Sequence, residues 1–368
     1  MRSPIRLTAL VVCAAAAAAS PPVLSAQRAV PPSVHARLAA TLDSIRAAIG
    51  ATGMSAAVLM PDGAVWTGAS GEAWAGTPTA PATLFDIGSV TKSYTAALVL
   101  RVIAEGMLSL DDSLTRWRPD VPGSHGVTIR DLLRQTSGIA DYASHPDYRA
   151  TMQTHIAAPW SPAENLRFVG ESQFPPGTRW GYSNTNYVLL GLIAEHVTGR
   201  SYASLLRERV LDSLGLTSTF VAGADTLPPT RAHAFLDFTG DGVPDDLSAL
   251  VSDPAFTRGA GAAGAIVATA LDVARFARAY YSDAIVPAAL RQAAGARIDR
   301  GDGWQYGFGL IAAPGGSGVL LGHFGNTAGQ SAGVWHDSTA NVTVAVLSNV
   351  HAVRMDAAVR RMLAAAMP

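Results

Sequence analysis

The segment FDIGSVTK, residues 85–92, is strand-like up to its glycine and then runs directly into a predicted helix. Residues three apart share one face of a helix, so the Lys92 amine can reach the Ser89 hydroxyl. A serine needs a neighbouring base to become a nucleophile, and a partly desolvated lysine can supply one. Backbone N–H groups at a helix start also favour developing negative charge. The segment therefore predicts a nucleophile at Ser89 and a base at Lys92.

Lys92 is the only lysine among the 27 lysine and arginine residues of the chain. Arginine does not give up its proton at usable pH, whereas a buried lysine can shift its pKa and act as a base. The chain uses arginine at every other basic position and has lysine only here, beside a serine. This favours a chemical role over chance retention at an ordinary helix position.

The composition is that of a globular protein that can hold one large domain or two. The 368 residues are 49% hydrophobic and 15% charged, which excludes a disordered chain. The formal net charge of −1 gives no electrostatic reason to bind nucleic acid or an anionic membrane surface. We therefore expect no nucleic-acid partner, and no membrane association of the mature form.

Residues 1–26 have the pattern of a signal peptide. The start is positively charged, residues 7–19 are almost unbroken apolar sequence, and Ala26 offers a small residue for cleavage. The apolar run is shorter than the ~20 residues that a transmembrane helix needs, although an uncleaved anchor stays an alternative. The only cysteine, Cys13, lies inside this segment, so a mature chain of residues 27–368 would contain no thiol. These features predict a periplasmic or secreted bacterial protein without disulfides.

Hydrophobic periodicity places strands at both ends of the chain and helices between them. The predicted class is α/β of the α+β type: an antiparallel sheet built from about 35–109 and 290–368, flanked by helices, with a mostly helical region inserted at about 110–289. Thr128 and Thr269 are predicted helix N-caps. We predict helices over 35–49, 89–105, 186–197, 269–281 and 355–366, and strands over 54–59, 64–68, 306–310, 319–323, 331–336 and 342–348.

A second polar group, Tyr182-Ser183-Asn184, lies between a proline–glycine turn at 175–177 and a predicted helix. A phenol next to an ammonium is pushed towards the phenolate and can relay protons between nucleophile and leaving group. The Asn184 amide can donate to and accept from a substrate amide. The alternative is a structural tyrosine in a loop, with Ser183 or Asn184 capping the helix.

A third group, GHFGN at 322–326, ends a predicted strand in a glycine-rich bend. A strand whose edge faces the nucleophile can align a substrate backbone and offer a second oxyanion N–H. Taken by itself, the group is equally explained by a strand that ends in a turn with a hydrogen-bonded histidine.

In this order, the three groups resemble the motifs of the penicillin-recognising serine hydrolases, which include class C β-lactamases, D-Ala-D-Ala carboxypeptidases and related esterases. That family carries Ser-x-x-Lys, then Tyr-x-Asn, then Lys- or His-x-Gly on the strand that lines the site. Three further segments are similar to blocks of the family: LLRQTSGI at 132–139, residues 176–191 and residues 261–276. The resemblance runs from about residue 35 to the C-terminus, and it implies one β-lactamase/transpeptidase-like domain over 27–368.

The resemblance implies that an ester or amide carbonyl acylates Ser89 and that water then takes the acyl group. Lys92 and Tyr182 would share the acid–base work, and which of them takes the first proton stays open. The backbone N–H groups of Ser89 and Asn326 would form the oxyanion hole. No metal or organic cofactor is implied, and the residues expected to contact substrate are Asn184, His323, Gly325 and Asn326.

Two departures from the family pattern bear on the substrate. His323 stands where many β-lactamases have a charged lysine, and Phe324 stands where a threonine or serine is frequent. Both departures weaken recognition of the carboxylate that β-lactams and D-Ala-D-Ala peptides carry, so they favour a less anionic ester or peptide. Arg354 offers a compensating cation, but we interpret it as a structural arginine.

Residues 237–246, DFTGDGVPDD, partly resemble a calcium-binding loop, with acids and a turn glycine at suggestive spacing. Ser248 stands where the last, bidentate glutamate is expected. A solvated acidic turn is therefore favoured over a calcium site.

The sequence thus predicts an exported serine hydrolase acting on a small-molecule or peptide substrate with an ester or amide bond. An esterase or D-peptidase is favoured over an efficient β-lactamase. The alternative is a catalytically weak protein that uses the same groove to bind peptidoglycan or penicillin. The presence of Ser89, Lys92, Tyr182 and Asn184 favours the enzyme, because a binding protein has no need of a lysine there. The oligomeric state is left open.

Overall fold

A nine-stranded antiparallel sheet forms the centre of the computed structural model, which describes residues 28–237, 241–251, 254–351 and 355–367. The strands, numbered along the chain, are β1 (Gly53–Leu59), β2 (Val65–Trp74), β3 (Thr77–Pro78), β4 (Phe85–Asp86), β5 (Thr219–Val221), β6 (Phe235–Leu236), β7 (Asp245–Asp246), β8 (Ile266–Ala268), β9 (Ile298–Asp299), β10 (Gln305–Tyr306), β11 (Ile311–Pro314), β12 (Val319–Asn326), β13 (Ser331–Asp337) and β14 (Val342–Ser348). The order in the large sheet is β3-β2-β1-β14-β13-β12-β11-β10-β9. Both ends of the chain therefore build one sheet, as predicted, and they meet where β1 pairs with β14.

Helices cover both faces of this sheet. They are α1 (Pro32–Ile49), α2 (Thr91–Ala104), α3 (Ile129–Arg134), α4 (Pro146–Thr154), α5 (Asn184–Thr198), α6 (Tyr202–Leu206), α7 (Leu247–Leu250), α8 (Ala255–Ala260), α9 (Ala270–Tyr281), α10 (Arg291–Gly295) and α11 (Met355–Ala366). Most of the residues between β4 and β9 are helical or irregular, which confirms the predicted helical insertion.

Successive residues of β1 point to opposite faces, and each face has its own apolar core. Ala56 and Val58 pack in the core that contains Leu42 of α1 and Met362 of α11. Ala57 belongs to the larger core on the other face, which contains residues of α2, α5 and α9. All seven residues of β1 are buried. The site described below lies between α2, on this second face, and the end of β12.

A smaller sheet fixes the segment that leads into Ser89. In it, β8 pairs with β4 on one side and with β5 on the other. Asp86 of β4 is 3% exposed and accepts hydrogen bonds from Arg231 at 2.8 and 2.7 Å. Its backbone N–H donates at 2.7 Å to Gln330, which lies in the turn between β12 and β13. The strand before Ser89 is thus bonded both to the helical region and to the end of the large sheet.

The predicted elements are largely confirmed, with shifts at their ends. Val342–Ser348 and Met355–Ala366 have the predicted bounds, and Thr128 and Thr269 cap α3 and α9 as expected. The helix predicted over 89–105 begins with a 3-10 turn, Gly88–Val90, before α2.

The strand predicted over 306–310 is wrong. The chain leaves β10 after Tyr306 and pairs again only from Ile311. Between them, Gly309 has a φ of +63°, and a Cβ at this position would lie 2.5 Å from the carbonyl oxygen of Lys92. The Gly309 carbonyl also accepts a hydrogen bond from Ser93. The main chain bends here to lie directly on α2, so the apolar run at 306–310 packs without forming a ladder.

The predicted signal peptide, 1–26 with Cys13, and Arg354 lie outside the described residues. Among the helices that are described, none combines the length and the apolar character needed to cross a membrane.

Candidate active site

Ser89 lies where β4 turns into α2. Gly88, just before it, has a φ of +49°, a conformation that glycine adopts without the steric cost other residues carry. Lys92 follows one helical turn later, and its Nζ donates a hydrogen bond to Ser89 Oγ at 2.8 Å. The structure thus brings the predicted nucleophile and base into direct contact.

Lys92 is fully buried, with 0% of its surface exposed. Its Nζ also donates to Asn184 Oδ1 at 2.7 Å and to the backbone carbonyl of Ala263 at 2.8 Å. Burial lowers the pKa of Lys92 to about 7, while the charge of Asp141 acts in the opposite direction. At neutral pH this amine therefore loses its proton far more readily than an exposed lysine does.

Tyr182 makes the second contact with the nucleophile. Its hydroxyl donates to Ser89 Oγ at 2.7 Å, and Lys92 Nζ lies 4.9 Å from the centroid of its ring. Burial raises the pKa of the Tyr182 phenol well above its usual value. The expectation that the neighbouring ammonium pushes this phenol towards the phenolate is therefore wrong, because loss of solvent dominates.

Gln135 holds the main chain on both sides of Tyr182. The Gly181 N–H donates to the Gln135 carbonyl at 2.9 Å, and the Ser183 N–H donates to its side-chain oxygen at 3.0 Å. Gln135 is fully buried and has a φ of +62°, which is uncommon for a residue other than glycine. The tyrosine is thus placed by its main chain as well as by its hydroxyl.

Asn184, the first residue of α5, connects Lys92 with a carboxylate. Its Oδ1 accepts from Lys92, while its Nδ2 donates to Asp141 Oδ2 at 3.0 Å and its backbone N–H donates to Asp141 Oδ1 at 3.2 Å. Burial raises the pKa of Asp141, and hydrogen bonds from Ala143 and Asn184 and the charge of Lys92 oppose that rise.

The end of β12 packs main chain against main chain on the turn that holds Ser89. A Cβ on Gly88 would lie 2.9 Å from the backbone nitrogen of Asn326, and a Cβ on Gly325 would lie 2.7 Å from the backbone nitrogen of Ser89. Any side chain at either glycine would force the two segments apart. The contact brings the N–H groups of Ser89 and Asn326, the two predicted oxyanion donors, to neighbouring positions.

His323 lies on β12 two residues before Gly325 and is 2% exposed. Its Nδ1 is 2.7 Å from the Phe324 carbonyl, so it donates there, and its Nε2 accepts from the Tyr306 hydroxyl at 3.2 Å. Burial lowers the pKa of His323 to about 3. The imidazole is therefore neutral and supplies no fixed positive charge.

Phe324 points to the other face of β12. Its ring centroid lies 5.1 Å from that of Trp335 and 6.1 Å from that of Trp304. The phenyl ring therefore does not line the site beside His323. Phe324 affects the site only because it lacks the hydroxyl that a threonine or serine would have at this position.

A second cation, Arg300, lies near the site on the loop before β10. Its guanidinium carbon is 4.8 Å from the centroid of the Trp180 ring. Its positive charge acts to lower the pKa of both Tyr182 and His323. It already forms an ion pair with Asp302, with 2.9 Å between Nη2 and Oδ2.

Comparison with known proteins agrees with this geometry. The profile of the Beta-lactamase family matches residues 38–367. The chain belongs to the beta-lactamase family. Penicillin-binding protein 4 of Amycolatopsis lactamdurans is 31% identical over 342 residues, which are 86% of this chain and 85% of that protein. A penicillin-binding protein of Bacillus subtilis is also 31% identical, over 238 residues; they are 62% of this chain but only 52%, about half, of that longer relative.

Solved structures of the same fold include two amide hydrolases. A D-stereospecific amidohydrolase from Streptomyces sp. superposes with a TM-score of 0.79 at 28% identity, covering 90% of this chain and 98% of that one. The D-amino acid amidase from Ochrobactrum anthropi SV3, complexed with L-phenylalanine amide, gives a TM-score of 0.79 at 27% identity with the same coverage. The family match and these relatives indicate that this member of the beta-lactamase family is a serine hydrolase.

Three participants in this beta-lactamase-family site, Asp141, Tyr306 and the Ala263 carbonyl, are not among the residues that the sequence predicts for it. Asp141 follows the 132–139 block closely, but nothing in its spacing connects it to Asn184. The sequence around Tyr306 predicts only a strand. The Ala263 carbonyl is main chain and leaves no trace in residue type, although it lies in the block at 261–276 that resembles the family.

Two short strands at the ends of the acidic segment, β6 before it and β7 at its end, pair beside the β12–β13 turn. The Phe235 N–H donates to the Gly329 carbonyl at 3.1 Å, and β6 pairs with β7. Asp246 accepts from His233 at 2.7 Å and caps α7. Within the described residues, no group of three or more metal-ligating side chains is assembled, and residues 238–240 lie outside them.

Proposed function

We propose that this protein is an exported serine hydrolase that cleaves an ester or amide through an acyl-enzyme on Ser89. The observation that carries the proposal is the sharing of one oxygen: Ser89 Oγ lies 2.8 Å from Lys92 Nζ and 2.7 Å from Tyr182 Oη. A serine between a desolvated amine and a phenol has both a proton acceptor and a proton donor within reach.

Lys92 is the first proton acceptor in this proposal. An amine has four tetrahedral positions, one taken by its carbon, and Asn184 and Ala263 accept from two others. The remaining position faces Ser89. In the neutral amine that position holds the lone pair, so Lys92 can take the hydroxyl proton as Oγ attacks the carbonyl carbon. A pKa of about 7 makes this neutral form available near neutral pH.

Tyr182 is the proton donor to the leaving group. Its raised pKa keeps the phenol protonated. As the tetrahedral intermediate collapses, the carbon–nitrogen or carbon–oxygen bond breaks, the leaving group takes the Tyr182 proton, and the Lys92 ammonium returns a proton to Tyr182. The N–H groups of Ser89 and Asn326 stabilise the oxyanion. In the second half of the reaction, water attacks the acyl carbon and the same proton transfers run in reverse. The water proton passes through Tyr182 to Lys92, and Lys92 returns a proton to Ser89 Oγ as the acyl–oxygen bond breaks.

The substrate is an ester or amide that lacks a carboxylate next to the scissile bond. His323 is neutral, and Arg300 is engaged by Asp302. An anionic leaving group would therefore meet no unpaired cation at these two positions. An esterase or a D-peptidase fits this preference, and structural neighbours named as D-stereospecific amidohydrolase and D-amino acid amidase support an amide substrate. Relatives named as penicillin-binding proteins support β-lactams as slow acylating agents.

The test begins with intact-mass spectrometry after treatment with a fluorophosphonate and, separately, with a penicillin. We expect one adduct on Ser89 with the first reagent and slow labelling with the second. Ser89→Ala removes the adduct, and Ser93→Ala, a buried serine of the same helix, keeps it. The absence of any adduct would favour the alternative, a protein that only binds peptidoglycan or penicillin.

A matched substrate pair tests the substrate class. We expect a D-Ala-D-Ala peptide with a C-terminal amide to be hydrolysed faster than the same peptide with its free carboxylate, and nitrocefin to be a poor substrate. The reverse order would contradict the proposed preference without affecting the role of Ser89.

Export rests on residues 1–26 alone. Expression in a bacterial host, followed by mass measurement of the protein in the periplasm and medium, tests it. A mature chain that begins at residue 27 is the expected product, and a full-length chain retained in the cell would contradict export.

A further inference from the structure

Asp141 joins two parts of the helical region at the back of the candidate site. Its Oδ1 accepts from the N–H groups of Ala143 at 3.1 Å and Asn184 at 3.2 Å, and its Oδ2 accepts from Asn184 Nδ2 at 3.0 Å. The adjoining main chain is held as well, because the Tyr142 N–H donates to Thr185 Oγ1 at 3.1 Å. The carboxylate is thus fixed against the first turn of α5.

This arrangement determines which way the Asn184 amide points. A carboxylate can only accept, so the NH₂ of Asn184 must face Asp141 and the carbonyl oxygen must face Lys92, 2.7 Å away. A flipped amide would place NH₂ against the ammonium and a carbonyl against the carboxylate. Asp141 therefore selects the orientation in which Asn184 accepts from Lys92.

We propose that Asp141 is a positioning residue that acts through Asn184 to direct the one free tetrahedral position of Lys92 at Ser89. The inference rests on the proposed function, in which Lys92 is the base. The three side chains form a carboxylate–amide–amine relay in which Asp141 does not touch the reacting atoms. Lys92 donates to two acceptors besides Ser89. The Ala263 carbonyl is main chain and is held by the backbone, whereas the Asn184 oxygen belongs to a side chain, so its direction depends on what else that side chain contacts.

The charges around Lys92 define the expected pH effect. Asp141 is the group whose charge raises the pKa of Lys92. The other titratable groups facing the amine are neutral: Tyr182, with its ring centroid at 4.9 Å, Tyr187, with its centroid at 5.7 Å, and His323. Burial raises the pKa of Asp141, and hydrogen bonds from Ala143 and Asn184 and the charge of Lys92 oppose that rise. In the ionised form, which these contacts favour, replacing the carboxylate by an amide takes away a negative charge.

The test is the pH dependence of Ser89 acylation by a fluorophosphonate, which needs no knowledge of the natural substrate. Wild-type acylation should rise with pH as Lys92 loses its proton. We call this rising part of the pH–rate profile the acylation limb. In Asp141→Asn the acylation limb should move to lower pH by about one unit, since the charge that favours the Lys92 ammonium is gone. The plateau rate should fall about 10-fold or more, because the lone pair is no longer directed.

Asp272→Asn is the matched control. Asp272 is another buried aspartate, 3% exposed, which accepts from the Ser218 N–H at 2.8 Å and from Thr219 at 3.0 Å. Its replacement should lower thermal stability and leave the acylation limb where it is. If Asp141→Asn behaves in the same way, with an unmoved limb and a wild-type plateau, Asp141 is merely structural and the inference is overturned.

Asp141→Glu provides a second variant if Asp141→Asn fails to fold. It keeps the charge and displaces it, so the limb should stay near that of the wild type while the plateau falls. A wild-type plateau in this variant would also overturn the inference. Failure of the proposed function would be separate, since wild-type Ser89 would then not be labelled at all.

Discussion

Gly325 and Ser89 meet so closely that no side chain fits between them. A Cβ on Gly325 would lie 2.7 Å from the Ser89 nitrogen and 1.9 Å from the Ile87 carbonyl oxygen. Real Cβ atoms do not approach backbone atoms at such distances, and neither partner is a flexible side chain. The position of β12 relative to the nucleophile is therefore set by the absence of a side chain.

Gly325→Ala should reduce turnover about 100-fold or more, because pushing β12 away from Ser89 separates the two oxyanion N–H groups. Steady-state kinetics on a p-nitrophenyl ester measures the effect. The matched control is Gly316→Ala in the β11–β12 connection, where an added Cβ meets nothing within 4 Å. An active Gly325→Ala enzyme would show that the N–H of Asn326 is not an oxyanion donor.

Lys92→Arg should lose activity about as completely as Lys92→Met, by about 100- to 10,000-fold, although arginine keeps the charge. The reason is that a guanidinium does not give up its proton at usable pH. Fluorophosphonate labelling rates of the two variants provide the comparison. A Lys92→Arg enzyme with near wild-type rates would mean that Lys92 serves only as a cation.

Tyr182→Phe should affect amides far more than activated esters. An amide leaving group needs a proton from the Tyr182 hydroxyl, whereas p-nitrophenolate leaves without one. We expect a loss of about 100-fold or more for a D-amino acid amide and a much smaller loss for the p-nitrophenyl ester. The ratio of kcat/KM values for the two substrates is the measurement. Equal losses on both would indicate a structural tyrosine.

The fold was predictable because its signals are local. The β1–β2 hairpin turn, the β-branched run of β14 and the threonine caps of α3 and α9 all depend on residues close together in the chain. Where packing overrides such patterns, prediction failed. The apolar run at 306–310 reads as a strand, yet at Gly309 the chain bends onto the main chain of Lys92, and no local pattern encodes that contact.

The candidate site follows the same rule: contacts between residues close in the chain were predictable, and contacts between distant residues were not. Ser89 and Lys92 are three residues apart, so helix geometry alone joins them. Tyr182 and Asn184 came from their order relative to known motifs. Asp141 is 43 residues from Asn184, and only the docking of its loop on α5 reveals the contact. The raised pKa of Tyr182 is not predictable from the sequence for the same reason, since burial is a property of the folded chain.

Stability should fall on acidification partly because of His323. Its pKa is about 3 in the folded protein against 6.5 for an ordinary histidine. As pH falls below 6.5, the unfolded state binds a proton that the folded state refuses, so His323 stabilises fully above that pH and progressively less down to about pH 3. Between pH 7.5 and 4.5 the loss from this residue should be about 3 kcal/mol. His336, whose burial lowers its pKa to about 4, acts in the same direction.

Thermal unfolding at pH 7.5 and 4.5 measures this effect. His323→Gln removes the proton-binding difference, so its melting temperature should drop between the two pH values by a few degrees less than that of the wild type. His125→Gln, at an exposed position, should show the full wild-type drop. If His323→Gln loses as much on acidification as the wild type, the imidazole takes up its proton in the folded state. A protonated His323 would then offer a substrate carboxylate the cation that the neutral ring withholds, and the preference for uncharged leaving groups would weaken at low pH.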